Sequence, residues 1–373
     1  MNSNATQSSI QNVDNQTLQS LNEPVNQQPI KRLTLVTDAW FPQINGVVTT
    51  LSNLVLELTH QGIEVDIIQP SEYKSFPLPT YHEIRCVWRP KDLENRILNF
   101  KPDAIHIATE GSLGWFARRI AIKNKLPFTS GYHTRYPEYI RARLPIPMVA
   151  IYSLLRFFHA PAQKTLVPGQ SILQDLEAKG FKNLALMTRG VNIDVFNPQQ
   201  KQDMNYKKPI MLYVGRIAPE KNIEAFLKID IPGSKIIIGE GPDLEHLKAT
   251  YPHCHFLGAK KGNELAQFYA SADVFVFPSK TDTFGVVNIE AIACGTPVAA
   301  YPVTGPKDII TEGLNGSTHN NLQTAIQQAL ILPKENIHLS IPQFNWPHAA
   351  QQYLQNLSPI DWNSNSKNKS NPN

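Results

Sequence analysis

At 373 residues, with 42% hydrophobic and 18% charged residues and a net charge of +4, the chain has the bulk of about two ordinary globular domains. Three cysteines (Cys86, Cys254, Cys294) stand far apart without ligand-like spacing, which argues against a disulfide framework or a structural zinc and suits a reducing compartment. The longest apolar stretch, 146–160, is broken by Arg156 and falls short of the roughly 18 residues of a spanning helix.

Residues 1–29 are dominated by Asn, Gln and Ser and lack the basic start and apolar stretch of a signal peptide, so a disordered tail is expected. RLTLVTDAW then reads as a strand, FPQINGVV as a loop, and TTLSNLVLELTHQG as a helix, with Leu51, Leu54, Val55 and Leu58 at helical spacing and Gly62 as the stop. IEVDIIQP, PDAIHIA (102–108) and LPFTSGYH (126–133) are further strands, the last two separated by the helical LGWFARRIAIKNK. This rhythm predicts a parallel sheet with crossover helices. From Arg118 to Lys164 nine Lys and Arg residues face a single acid, Glu138, and the basic zone is interleaved with aromatics. Nucleic acid, anionic lipid or an acidic small molecule could each answer such a zone.

The polar stretch 196–209 reads as the connection between domains. PIMLYVGR, SKIIIGEG, ADVFVFPS and TPVAAYPV then repeat the strand plan, with NIEAFLKI and an Ala-rich segment containing Glu290 as helices. FNWPHAAQQYLQNL opens a last helix, with Asn345 near its cap and Pro347 in its first turn. The expected architecture is α/β: two Rossmann-like, doubly wound parallel-sheet domains facing a central cleft. The first spans 30–202 with a return helix at 345–358, the second spans 203–344, and a disordered polar tail is expected over 359–373.

Ligands of such sheets sit beyond the carboxyl ends of the strands, so residues just after strands are the candidates. Between Asp38 and Gly46 the first strand gives way to a helix, and a glycine there lets backbone approach an anion, although taken alone a plain turn glycine is the commoner explanation. No dinucleotide fingerprint accompanies it, and GEGPDL (239–244) lacks the third glycine. In VGRIAPEKN, Arg216 and Lys221 could grip one polyanion, or form a solvated loop with Glu220. In TDTFGVVNIE, Asp282 and Glu290 flank Gly285; carboxylates there accept from vicinal sugar hydroxyls, and a helix dipole explains one acid but not two. His133 ends a strand with Arg135 two residues on. In 138–160, Tyr, Phe, Leu and Ile alternate with Arg141, Arg143 and Arg156, which suits an interfacial segment on anionic lipid or an ordinary buried helix with exposed arginines.

Taken with FPQINGVVTTL, HTRYPEY, TRGVNIDVFNP and EAIACGTPVAA, these motifs over 31–356 resemble the GT-B-fold retaining glycosyltransferases of family GT4 (group 1), in particular bacterial α-mannosyltransferase-like and diacylglycerol glycosyltransferase-like members. The resemblance implies a hexosyltransferase with a UDP- or GDP-sugar donor bound mainly by the second domain, and no metal or separate cofactor. It places Arg216 and Lys221 on the diphosphate and Glu290 on the ribose. Asp282 and the backbone of Thr283, Phe284 and Gly285 would hold the donor sugar, with Gly46 near the phosphate and His133 beside the reacting carbon. His133, Asp282 and Glu290 form the catalytic set it implies. The acceptor it suggests is a membrane lipid such as diacylglycerol, reached by a cytoplasmic protein peripheral on the inner face of the cell membrane through Arg141, Arg143 and Arg156. A soluble or polysaccharide acceptor is the alternative within the family; a nucleotide-sugar epimerase or a non-catalytic nucleotide-sugar-binding protein is the alternative of another class. Nucleic acid is not expected, since no recognition motif accompanies the basic zone. One departure is visible: the family more often has Glu where this chain has Asp282.

Overall fold

Two six-stranded parallel sheets organise the chain, in a computed structural model that describes residues 29–43, 45–78, 81–141 and 145–363. Most of the polar segments expected at the two ends, and Arg143, lie outside the described residues, but the start of the expected C-terminal tail is ordered. Ile360 is buried in the core of the first half, its N donates to Asp103 O (2.8 Å), and Trp362 Nε1 donates to Pro102 O (2.9 Å). The polar composition hides these two apolar anchors.

The first sheet comprises β1 (Arg32–Val36), β2 (Glu64–Ile68), β5 (Ala104–Ile107), β6 (Thr129–Gly131), β7 (Lys164–Val167) and β8 (Leu184–Leu186), in the order β2-β1-β5-β6-β7-β8. A separate antiparallel hairpin pairs β3 (Ser75–Leu78) with β4 (Tyr81–Val87). The helices of this half are α1 (Gly46–His60), α2 (Leu93–Phe100), α3 (Ser112–Lys123), α4 (Tyr136–Arg141), α5 (Met148–His159) and α6 (Gln170–Ala178).

The second sheet repeats the plan as β11-β10-β9-β12-β13-β14, from β9 (Ile210–Val214), β10 (Ser234–Ile238), β11 (His255–Phe256), β12 (Val274–Phe277), β13 (Val298–Ala300) and β14 (Gly316–Thr318). Its helices are α7 (Ile223–Leu227), α8 (Leu244–Thr250), α9 (Gly262–Ser271), α10 (Val286–Ala293), α11 (Pro306–Ile309) and α12 (Leu322–Leu330). Along β9, Leu212 and Val214 point into one core with Tyr269, Ile289 and Ile292, while Met211 and Tyr213 point into another with Phe226, Ala325 and Ile326. Both faces are buried, which is why these strands read as unbroken apolar runs rather than alternating ones.

The chain passes between the halves earlier than its composition suggests. Met187 N still donates to Val167 O of the first sheet (2.9 Å), but Val191 already belongs to the core of the second. Phe196, Met204 and Tyr206 of the polar stretch 196–209 pack on that core too, so this stretch is part of the second domain and not the connection. Its scattered apolar residues anchor it, a pattern that composition alone hides. The crossing is 188–191. A second crossing at 344–346 runs beside it, with Val191 N donating to Phe344 O at 3.1 Å. The chain then returns to the first sheet as α13 (Trp346–Asn356), where Tyr353 meets His106 edge-on at 5.1 Å and Gln352 Oε1 accepts from Thr188 N at 2.9 Å.

In both sheets the strand order reverses beside the first strand of the half, between β1 and β5 and between β9 and β12. A crevice opens where neighbouring connections leave on opposite faces. The loops after β9 and β12 are those that carry Arg216, Lys221, Asp282 and Glu290.

Candidate active site

The loop after β9 is held by its own backbone and by the loop after β12. Tyr213 Oη donates to Arg216 O (2.8 Å), Asn222 Nδ2 to Pro278 O (3.0 Å), and Thr281 Oγ1 to Glu220 O (3.2 Å). GEGP lies against it: Ile217 N donates to Glu240 O at 2.8 Å, and a Cβ on Gly241 (φ +159°) would stand 2.1 Å from Ile217 O. Glycine is therefore required by close backbone approach, and the two glycines of GEGP serve loop packing.

These contacts bring Lys221 and Asp282 into a direct ion pair, with about a fifth or less of either side chain accessible. Burial disfavours the Lys221 ammonium, but the attraction of Asp282 and of the Tyr139 and Tyr213 oxygens more than offsets it, so its pKa is raised. Asp282 Oδ1 takes the lysine, while Oδ2 is buried without a hydrogen-bond partner among the described residues. An unpaired buried carboxylate oxygen is costly in an unliganded site and asks for a donor from a ligand.

Gly285 turns the chain into α10 with φ +83°, and a Cβ there would stand 2.6 Å from Asn288 Nδ2 and 2.9 Å from Phe277 Cζ. Asn288 is fully buried beneath this turn, and neither of its amide atoms has a partner among the described residues. Phe284 buries its ring in the core against Phe344 at 5.6 Å, so only its backbone is available at the site. One turn on, Glu290 receives Tyr269 Oη at 3.0 Å. Burial pushes the Glu290 carboxyl up to about 7, against the opposing pull of that hydrogen bond.

From the first domain, Tyr139 of α4 is hydrogen-bonded to the Thr281 side chain, and His133 O accepts from Thr283 Oγ1 at 2.8 Å. The structure thus assembles Lys221, Asp282, Thr283 and His133 around one seam between domains, with Arg216 and Gly285 on the loops that form it. The His133 ring is buried, with Nε2 unpartnered among the described residues. A second interdomain contact stands nearby: Asp308 accepts from Ser171 N (2.9 Å) and Ser171 Oγ (2.6 Å) at the start of α6.

Other predicted residues lie elsewhere. Gly46 is exposed at the start of α1, with nothing within 4 Å of where a Cβ would be. Asp38 turns away from the cleft to cap α3, accepting from Leu113 N (2.8 Å), Gly114 N (3.2 Å), Ser112 Oγ (3.0 Å) and Thr109 Oγ1 (3.0 Å). Arg141 is exposed at the end of α4, whereas Arg156 binds Lys179 O (2.8 Å) and Ser153 Oγ (2.7 Å) and so ties α5 to the end of α6. Tyr139, Tyr269 and Arg189 were not singled out from the sequence; Arg189 lies inside TRGVN, and only its burial against His133 marks it.

This geometry sits on a chain whose relatives are informative. The description "Glycosyltransferase Family 4" matches residues 44–195, and "Glycosyl transferases group 1" matches 195–336. The chain is a family 4, group 1 glycosyltransferase. It is 34% identical over 324 residues to a sulfoquinovosyl transferase of Arabidopsis thaliana, covering 78% of this chain and 63% of that one. It is 29% identical to a GDP-mannose-dependent α-mannosyltransferase of Mycobacterium tuberculosis (76% and 82% of the two chains). With an α-monoglucosyldiacylglycerol synthase of Streptococcus pneumoniae it shares 28% identity (82% and 80%). Among solved structures, a sucrose-phosphate synthase of Thermosynechococcus elongatus superposes with a TM-score of 0.70 at 22% identity, over 87% of this chain and 98% of that one, which establishes the shared GT-B fold. For this glycosyltransferase, then, the loops after β9 and β12 lie at the switch point where the fold places ligands.

Proposed function

We propose that this glycosyltransferase moves a hexose from a UDP- or GDP-sugar to a lipid acceptor of the diacylglycerol type at a membrane surface, with retention of configuration. The observation that carries the donor half is the Lys221–Asp282 pair with its unpaired Asp282 oxygen, followed on α10 by the buried Glu290. In this reading Lys221 exchanges Asp282 for the donor diphosphate, alongside Arg216 and the backbone at the start of α10. The freed Asp282 accepts from sugar hydroxyls together with the backbone of Thr283 to Gly285, Glu290 accepts from the ribose, and Gly46 approaches the phosphate when the domains close. Cleavage of the sugar–phosphate bond builds negative charge on the diphosphate, where fixed cations and helix N–H groups stabilise it. The departing phosphate helps to take the acceptor's proton, so no side chain is assigned as nucleophile. His133 sits beside the reacting carbon. No metal or separate cofactor is assigned, since the protein's own cations meet the phosphate charge.

The acceptor half is supported by a surface and by the relatives. No helix among the described residues is long and apolar enough to cross a membrane. On α5, however, Val149, Leu154 and Phe157 stand 75%, 53% and 60% exposed, next to Ile122 of α3 at 46%. Arg118 lies over the Phe157 ring at 4.6 Å and the Trp115 ring at 5.4 Å, so apolar and cationic groups share one face. That combination suits the interface of an anionic bilayer. Names among the relatives include a diacylglycerol product and a GDP-mannose donor, which fit both halves.

The test is nucleotide release by the purified protein from UDP- and GDP-hexoses, with and without vesicles containing diacylglycerol. Release from one donor stimulated by the vesicles is the expected outcome. Release equally fast without a lipid acceptor would contradict the acceptor assignment.

A further inference from the structure

We propose that Arg189 is a positioning residue for glycosyl transfer: from the crossing between domains, its guanidinium fixes the orientation of the His133 imidazole and holds it as a neutral ring carrying its proton on Nε2. The proposal rests on the reading of His133 as a donor-site residue.

The hydrogen bond settles its own direction. Arg189 Nη2 lies 2.9 Å from His133 Nδ1, both groups being buried. A guanidinium has donors and no acceptor, so Nδ1 must present a lone pair and the ring proton must be on Nε2. That nitrogen is buried without a partner among the described residues. Gly131 makes room for the ring, since a Cβ there would stand 2.6 Å from Nε2. The imidazole is thus clamped between a bare stretch of β6 and a cation, and its one N–H is left for a ligand oxygen.

Arg189 itself is held with little freedom. Its guanidinium also donates to Met187 O (2.7 Å) and Thr188 O (3.2 Å), and no carboxylate pairs with it among the described residues. A buried cation without a counter-ion is expensive, and burial pushes this one down to about 9, still charged at neutral pH. An uncharged residue would fill the space more cheaply; a cation adds its repulsion to burial in keeping the imidazole neutral. Burial, Arg189, His106 of β5 and His159 of α5 together hold His133 well below its ordinary range. A neutral Nε2–H can donate to a hydroxyl of the donor sugar without adding a positive charge beside a reacting carbon that itself becomes positive.

The position of Arg189 connects this to domain closure. It lies in the crossing 188–191, where a Cβ on the next residue, Gly190, would stand 2.4 Å from Trp346 N of the second crossing. The carbonyl of His133 is meanwhile bound by Thr283 of the second domain. The ring is therefore referenced to the hinge on one side and to the donor loop on the other.

The test uses the full chain labelled with ¹⁵N at histidine, read by long-range ¹H–¹⁵N correlation between pH 6 and 8, with the His133 signals assigned by their loss in His133→Phe. Wild type should show a protonated Nε2 and a bare Nδ1 throughout, whereas Arg189→Met should show a mixed tautomer or a titrating ring, with Arg189→Lys intermediate. In transfer assays Arg189→Met should lower kcat roughly 10- to 100-fold, the usual range for loss of an outer supporting partner, with the donor KM within about threefold, and Arg189→Lys should recover part of it. A wild-type His133 with its proton on Nδ1, or one that titrates in this range, overturns the proposal even if no variant folds. So does an Arg189→Met protein with an unchanged ring and unchanged kcat. Transfer at the wild-type rate by His133→Phe would instead overturn the donor-site reading, while the spectra would still report the hydrogen bond.

Discussion

Glu290 and Asp282 are carboxylates on one loop and helix, yet their surroundings divide their roles. Asp282 faces a lysine and a partly open seam; Glu290 faces a phenol and little water. Burial lifts the Glu290 carboxyl from 4.5 to about 7, so its uncharged form favours the fold. That contribution to stability is complete below the unfolded value near 4.5 and is lost as pH rises through about 7. Nucleotide binding runs the other way, because a ribose hydroxyl needs the carboxylate as acceptor. Calorimetric affinity for the nucleoside diphosphate should strengthen as pH rises through about 7, by roughly tenfold per unit below the midpoint. Tyr269→Phe removes a bond that favours the carboxylate and should move the midpoint up; Glu290→Gln should flatten the profile. A flat wild-type profile would show that Glu290 does not titrate against the ligand.

The elements carry a different kind of dependence. Asp38 and the start of α3 form a single unit in which one buried carboxylate satisfies two backbone N–H groups and two hydroxyls. Asp38→Ala should therefore destabilise the protein by roughly 2 kcal/mol, seen as a lower urea midpoint with an unchanged slope, and should do so without altering the donor KM. An unchanged midpoint would mean that water replaces the carboxylate at no cost.

Elements differ in how plainly the sequence announces them. Strands β9, β10 and β12 were legible because parallel strands buried on both faces read as continuous apolar runs bounded by glycine or proline. The β3–β4 hairpin and the short β8, β11 and β14 were not, since none has such a run. Among site residues, Lys221, Asp282 and Glu290 could be picked out because acids and bases after predicted strands are few. Arg189 could not, since a charged residue between threonine and glycine looks solvent-facing until the fold buries it against His133. Asp38 shows that position after a strand is not enough: it is an acid there that serves a helix.

At the scale of the molecule, two faces matter: the seam between domains and the apolar, basic face of α3 and α5. The second can be tested without chemistry. Leu154→Ser with Phe157→Ser should reduce flotation with anionic vesicles several-fold while leaving nucleotide affinity unchanged, because neither side chain is part of the seam. Flotation that persists would place the membrane contact elsewhere, and none in wild type would favour a soluble acceptor. High salt should weaken the contact, since cations such as Arg118 and the exposed Arg141 contribute through a screened surface potential.

The central claim is that the seam holds a nucleotide-sugar and that Glu290 is one of the groups holding it. It is tested most directly by the rate of hexose transfer in Glu290→Ala beside wild type, with circular dichroism confirming an intact fold. Loss of a buried acceptor matched to a ligand hydroxyl should reduce kcat/KM by at least roughly 10²-fold. Transfer by Glu290→Ala at a near-normal rate would contradict the account.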